Sequence, residues 1–118
     1  MNTDIFQRQL AGGSQSIRAG WSGLRMAGAT ARHMLVATAA EAWQVPASEI
    51  SVKAGIISHD GSEKSASFGE MASKAATMSV PEEVTLKETS DFDIIGTDKR
   101  NVDGPNIVTG KPLFGIDI

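Results

Sequence analysis

The chain has 118 residues, a net charge of −3 and no cysteine. That length holds one small domain or part of a larger one, and the absence of cysteine excludes disulfides and thiolate chemistry. The acidic balance argues against non-specific nucleic-acid binding, and no apolar run approaches the roughly 20 residues of a membrane-spanning helix.

Residues 1–11 read as an irregular lead-in that Ile5, Phe6 and Leu10 can pin to an apolar surface. Asp4, Gln7, Arg8 and Gln9 exclude a secretory signal there. Gly12, Gly13, Ser14, Gln15 and Ser16 then run straight into a pattern with helical spacing. Glycine lets a backbone turn tightly and approach a ligand closely. The first N–H groups of a helix lack intrahelical partners and sit at the positive end of its dipole. Two readings stay open for these five residues: an ordinary helix cap, or a cradle for phosphate.

Ile17, Trp21, Leu24, Gly28, Ala31, Leu35, Thr38 and Ala42 alternate spacings of four and three. This predicts one helix from Ser16 or Ile17 to about Gln44. Gly20, Gly23 and Gly28 each cost roughly 1 kcal/mol against alanine inside a helix. Together with Ala37, Ala39, Ala40 and Ala42 they predict a helix buried between layers, where another backbone comes close. Arg18, Arg25 and Arg32 form a stripe beside that face, with Arg18 nearest the glycines. Pro46 marks the stop, because the residue before a proline is pushed out of helical geometry.

Ile50, Val52 and Ala54 alternate with Ser51 and Lys53 before Gly55, and Asp60-Gly61 is a turn signal. A three-stranded meander follows, returning through Ser65-Ala66-Ser67. Ser67 and Glu70 make a capping box, predicting a second helix to about Met78. From Val84 periodicity is lost. Val84–Leu86 and Phe92–Ile95 read as short extended pieces, and glycine and proline then recur every few residues. The chain closes on Phe114-Gly115-Ile116-Asp117-Ile118, which alternates like the start of a strand. The expected fold is α+β: one long buried helix, a small β meander, a second short helix and an extended C-terminal strap.

The chemistry-bearing residues are sparse. His33 and His59 have no metal-ligand spacing, so no zinc site is expected. His33 reads as a surface or half-buried residue and His59 as a turn residue. Trp21 and Trp43 read as packing anchors. No serine lies in a nucleophile elbow, and no nucleophile–base set is visible, so no catalytic residue is assigned.

Two separated blocks carry a family resemblance. The first is Gly12-Gly13-Ser14-Gln15-Ser16-Ile17-Arg18 with Leu24-Arg25-Met26-Ala27-Gly28-Ala29-Thr30-Ala31-Arg32. The second is Ile95-Gly96 through Asp103, Val108-Thr109-Gly110 and Phe114-Gly115-Ile116-Asp117. Between them Trp43-Gln44-Val45-Pro46 and Ser67-Phe68-Gly69-Glu70-Met71 fit in order. The chain thus resembles the large, molybdopterin-binding subunit of the xanthine oxidase family of molybdenum hydroxylases. It looks closest to the isoquinoline 1-oxidoreductase beta-subunit branch, whose members often carry the name aldehyde dehydrogenase. It departs from the family at Asn101, where an arginine is usual and Arg100 sits one place earlier, and at Ile107, where a lysine is usual.

The resemblance implies a part of an enzyme. Residues 1–94 would be a partial molybdopterin-binding segment, and 95–118 a strap leading towards an α/β-hammerhead domain. Gly12, Gly13, Ser14, Gln15 and Ser16 would contact the phosphates of a molybdopterin cytosine dinucleotide in the complete enzyme. No cofactor and no activity are expected on this chain alone. The family's catalytic glutamate lies in a different setting far downstream, and Gly69-Glu70 is not that residue. The complete enzyme would hydroxylate N-heterocycles or oxidise aldehydes, with the remainder of the large subunit and an iron–sulfur subunit as partners. No nucleic-acid partner is expected, and the C-terminal strap is a candidate for self-association. Related full-length proteins are often exported to the periplasm, and no export signal is expected within these residues. Two rival readings are a stand-alone phosphate-binding module and a small structural or assembly protein.

Overall fold

The computed structural model describes residues 12–111 and 114–117. The expectations placed on the lead-in, on Leu113 and on Ile118 lie outside the described residues. The chain divides into two units, one ending at Leu86 and the other beginning at Lys87.

The first unit is built on α1, Ser16–Trp43, a single helix of 28 residues and so about 42 Å long. It runs through Gly20, Gly23 and Gly28 unbroken, as the spacing of four and three predicts. It stops before Pro46, where Gln44 turns left-handed at φ 57° and the Val45 N–H donates to the Ala40 carbonyl. A left-handed residue just past the last turn is a common way to satisfy the final carbonyls.

A 3₁₀ turn at Ala47–Glu49 leads into an antiparallel meander of β1, Ser51–Lys53, β2, Ile56–His59, and β3, Lys64–Ser67. Val52 faces Ile57, and Ile57 faces Ala66. The β1–β2 connection is the two-residue turn Ala54-Gly55, with φ of 50° and 79°. Positive φ at both central residues matches the right-handed twist of a hairpin. Only Gly55 announces this in the sequence, since alanine rarely takes such a φ.

The capping box forms as expected at the start of α2, Phe68–Ala75. The Glu70 N–H donates to Ser67 Oγ at 3.2 Å, and Glu70 Oε2 accepts from the Ser67 N–H and hydroxyl, each at 2.7 Å. These bonds, the backbone one first, hold the Glu70 carboxyl below its ordinary range. The stabilisation they supply is therefore full above the ordinary carboxylate range and is lost as pH falls through the lowered value. Acidification should loosen the first turn of α2, and Glu70→Gln should remove that pH dependence while keeping an acceptor. Amide exchange at Glu70 across an acid titration checks this. An identical pH response in Glu70→Gln would contradict it.

α2 packs on the C-terminal half of α1, and the meander completes the core. Ala39, Ile57 and Ala75 are its buried apolar residues, with Thr38 and His59 buried beside them. The Thr38 hydroxyl lies 2.8 Å from both the Met34 carbonyl and Met78 Sδ. Lys74 reaches Glu41 at 3.6 Å.

The expectation of a helix buried along its length holds only for this half. Ile17 is 81% and Leu24 75% exposed, on the same helical stripe that carries buried Thr38. The reason is supply. The described residues of the first unit provide one short helix and three short strands, too little to cover a helix of this length.

In the second unit Lys87 bonds the Asp91 carbonyl and pairs with Asp93 at 3.4 Å around a 3₁₀ turn at Thr89–Asp91. The sequence signalled no helix there, yet α3 forms at Gly104–Val108. Pro105 sits in its first turn, where a missing N–H costs nothing, and left-handed Gly110 follows its end. The strand expected at the C-terminus is corrected. Gly115–Asp117 is a 3₁₀ turn, because an alternating run without a neighbouring strand has no ladder to join.

Candidate functional site

The five residues singled out in the sequence lie together at the N-terminal end of α1. Gly13 has φ 64° and Ser14 φ 50°, so the chain turns left-handed twice before Gln15 becomes right-handed and α1 begins at Ser16. A left-handed residue followed by a right-handed one brings successive N–H groups to one side, as in the concave nests that hold anions. Gly12 to Ser16 are all exposed.

Gln15 at the N-cap gives no side-chain cap to the first turn, and that turn contains no acidic residue. A carboxylate there would occupy the donors and cancel the dipole. Arg18 is exposed in the first turn and forms no ion pair among the described residues. Two turns of the stripe behave differently: the Arg25 guanidinium lies 5.0 Å from the centre of the Trp21 ring, while Arg32 is exposed. A side chain added at Gly13 would meet only Gln15, its Cβ coming 3.4 Å from Nε2. The left-handed φ of Gly13 favours glycine at this position. Backbone donors, hydroxyls and a positive dipole end, with no acidic residue in the first turn, fit a phosphate group.

A second cluster was not read from the sequence. His59 is 6% exposed at the end of β2, with Nε2 3.0 Å from Glu49 Oε2 and Nδ1 2.8 Å from Ser62 Oγ. The Ser62 N–H also donates to Nδ1, at 3.1 Å. Glu49 lies ten positions away along the chain, so no local spacing could announce it. The order of groups is that of a nucleophilic triad, but the Nδ1 lone pair already caps the Asp60–Ser62 turn and is not open to act as a base. Among the described residues no group of three acidic, histidine or cysteine side chains could hold a metal ion. None of the helices among the described residues is long and apolar enough to cross a membrane.

Comparison with known proteins shows the family of the chain. The molybdopterin cofactor-binding domain family matches residues 1–112. The chain belongs to that family. Isoquinoline 1-oxidoreductase subunit beta of Brevundimonas diminuta is 30% identical over 131 aligned positions, which cover 80% of this chain and 16% of the relative. The resemblance to the molybdopterin-binding subunits of the xanthine oxidase family is thereby borne out. The chain spans about a sixth of that relative's length. In this molybdopterin cofactor-binding domain the matched range contains the Gly12–Ser16 turn, all of α1 and the whole meander.

Proposed function

We propose that this chain works as a segment of the large subunit of a molybdenum hydroxylase. In that subunit Gly12, Gly13, Ser14, Gln15 and Ser16 hold a phosphate of the cofactor in its cytosine dinucleotide form. The observation that carries the reading is the left-handed Gly13-Ser14 turn opening onto an uncapped, acid-free helix start, inside a chain of the molybdopterin cofactor-binding domain family. The Ser14, Gln15 and Ser16 N–H groups bind and orient the phosphate, and the Ser14 and Ser16 hydroxyls are further donors within reach of the turn. When bound, the cofactor supplies the redox centre of the enzyme. The residues of this chain fix its distal end and do not themselves move protons or electrons.

The exposed stripe Ile17, Trp21 and Leu24 supports the same reading. Such a run of large apolar side chains is what an element carries when it packs against further protein. In this proposal the covering layer is the remainder of the large subunit. Residues 95–118 act as the strap towards the next domain, and an iron–sulfur subunit relays electrons. The substrate in this proposal is an N-heterocycle, the class that the name of the relative gives for that protein, or an aldehyde.

Molybdenum analysis of two samples tests the proposal. The 118-residue chain alone should contain no stoichiometric molybdenum and show no oxidase activity, because it offers one wall of a cofactor cavity. The complete subunit carrying this segment should contain about one molybdenum per folded protomer. Stoichiometric metal in the chain alone would favour a stand-alone binding module. Its absence from the complete subunit would favour a structural or assembly role.

A further inference from the structure

The Glu49–His59–Ser62 chain has only one consistent assignment of protons. A backbone N–H always donates, so the 3.1 Å bond from the Ser62 N–H requires a lone pair on His59 Nδ1. The Ser62 hydroxyl, 2.8 Å away, then also donates to Nδ1. The ring proton must sit on Nε2, where it points to Glu49 Oε2 at 3.0 Å. The ring is therefore neutral, in the Nε2–H form, and touches two different pieces of the fold. Through Nε2 it holds the 47–49 turn that leaves α1. Through Nδ1 it closes the 60–62 turn between β2 and β3. Gly61 lies under the ring, where an added Cβ would come 3.1 Å from His59 Cε1.

A second proton affects the two ends oppositely. It can bind only at Nδ1, where it faces the Ser62 N–H and breaks that bond, while the Ser62 hydroxyl rotates from donor to acceptor. At Nε2 it converts a neutral hydrogen bond into a charge-assisted one to Glu49. The other charged groups near the ring are Asp60 and Glu63 in the connection, both exposed, and Lys64 opposite His59 on β3. The Lys64 ammonium is engaged by the Trp43 carbonyl at 3.5 Å. Glu49 is thus the carboxylate in hydrogen-bond contact with the ring.

We propose that His59 is an acid-operated clasp. Neutral, it holds the 60–62 turn closed. Protonated on Nδ1, it releases the Ser62 N–H of that turn and stays attached to Glu49. The proton comes from solvent, and its charge is balanced by the Glu49 carboxylate. The sheet itself does not depend on the clasp, because its ladder bonds are backbone to backbone.

The experiment is long-range proton–nitrogen NMR on the 118-residue chain at about pH 7.5 and about pH 5, with amide exchange recorded on the same sample. The neutral ring should show an unprotonated Nδ1. On double protonation, exchange at the Ser62 amide should rise about fivefold or more over its intrinsic rate, while β2 amides keep their protection. His59→Asn supplies a short acceptor suited to capping such a turn and does not titrate, so its Ser62 amide should keep the same protection relative to its intrinsic rate at both pH values. A neutral ring protonated on Nδ1 would overturn the proposal without recourse to any variant. So would full Ser62 protection after double protonation, or the same pH response in His59→Asn.

Discussion

In the complete subunit, Gly13→Val should lower molybdenum content per folded protomer at least about tenfold, the loss expected when one or two charge-assisted hydrogen bonds are removed. Valine resists the left-handed backbone that Gly13 adopts at φ 64°. To relieve that strain the turn must reopen, and the N–H groups of Ser14, Gln15 and Ser16 then no longer converge. In the isolated chain the same change should leave the core intact. The turn is exposed, and the added carbon would meet only the Gln15 side chain. Gly13→Asn provides the discriminating control, since asparagine tolerates left-handed φ and should retain most of the metal. Equal molybdenum in wild type and Gly13→Val would return these residues to the plain helix-cap reading. An equal loss in Gly13→Asn and Gly13→Val would contradict the left-handed backbone as the cause, because bulk and not backbone geometry would then matter.

The largest effect on stability should come from Ile57→Ala, at about 2–4 kcal/mol. Ile57 is fully buried in the central strand, facing Val52 on one side and Ala66 on the other. The rest of the apolar core is Ala39 and Ala75, too small to collapse into the cavity. Its neighbour Ile56 provides an internal comparison, being 47% exposed on the opposite face of the same strand. Ile56→Ala should cost under about 1 kcal/mol, because surface truncations forfeit little burial. Denaturant unfolding of both variants measures the difference. Equal midpoints would show that the meander does not carry the core.

Legibility in the sequence followed the range of the interactions. The long helix was readable because Ile17, Trp21, Leu24, Leu35 and Thr38 repeat a local spacing, and the glycines do not break it. The capping box was readable because Ser67 and Glu70 are three residues apart. Gly55 and Asp60-Gly61 marked both turns of the meander. What escaped depended on residues far apart or on a backbone that its residue type disfavours. Ala54 and Ser14 take left-handed φ without being glycine. Glu49 and His59 meet only once the meander is folded. The terminal strand was misread because alternation records a preference, while a strand also needs a partner. The exposed half of α1 shows the converse. Its small and apolar residues signalled burial, whereas among the described residues only the C-terminal half of the helix is covered.

The candidate site was legible to the same degree. Gly12–Ser16 were picked out by composition and position, and the structure brings them into one exposed turn at the helix start. Their donor geometry depends on two φ angles that no spacing reveals.

The most direct measurement is a crystal structure of the complete subunit with its cofactor bound. The account predicts a cofactor phosphate oxygen within about 3 Å of at least two of the backbone nitrogens of Ser14, Gln15 and Ser16, with Gly13 still left-handed. A bound cofactor whose phosphates lie elsewhere, with these N–H groups capped by another protein segment, would contradict it.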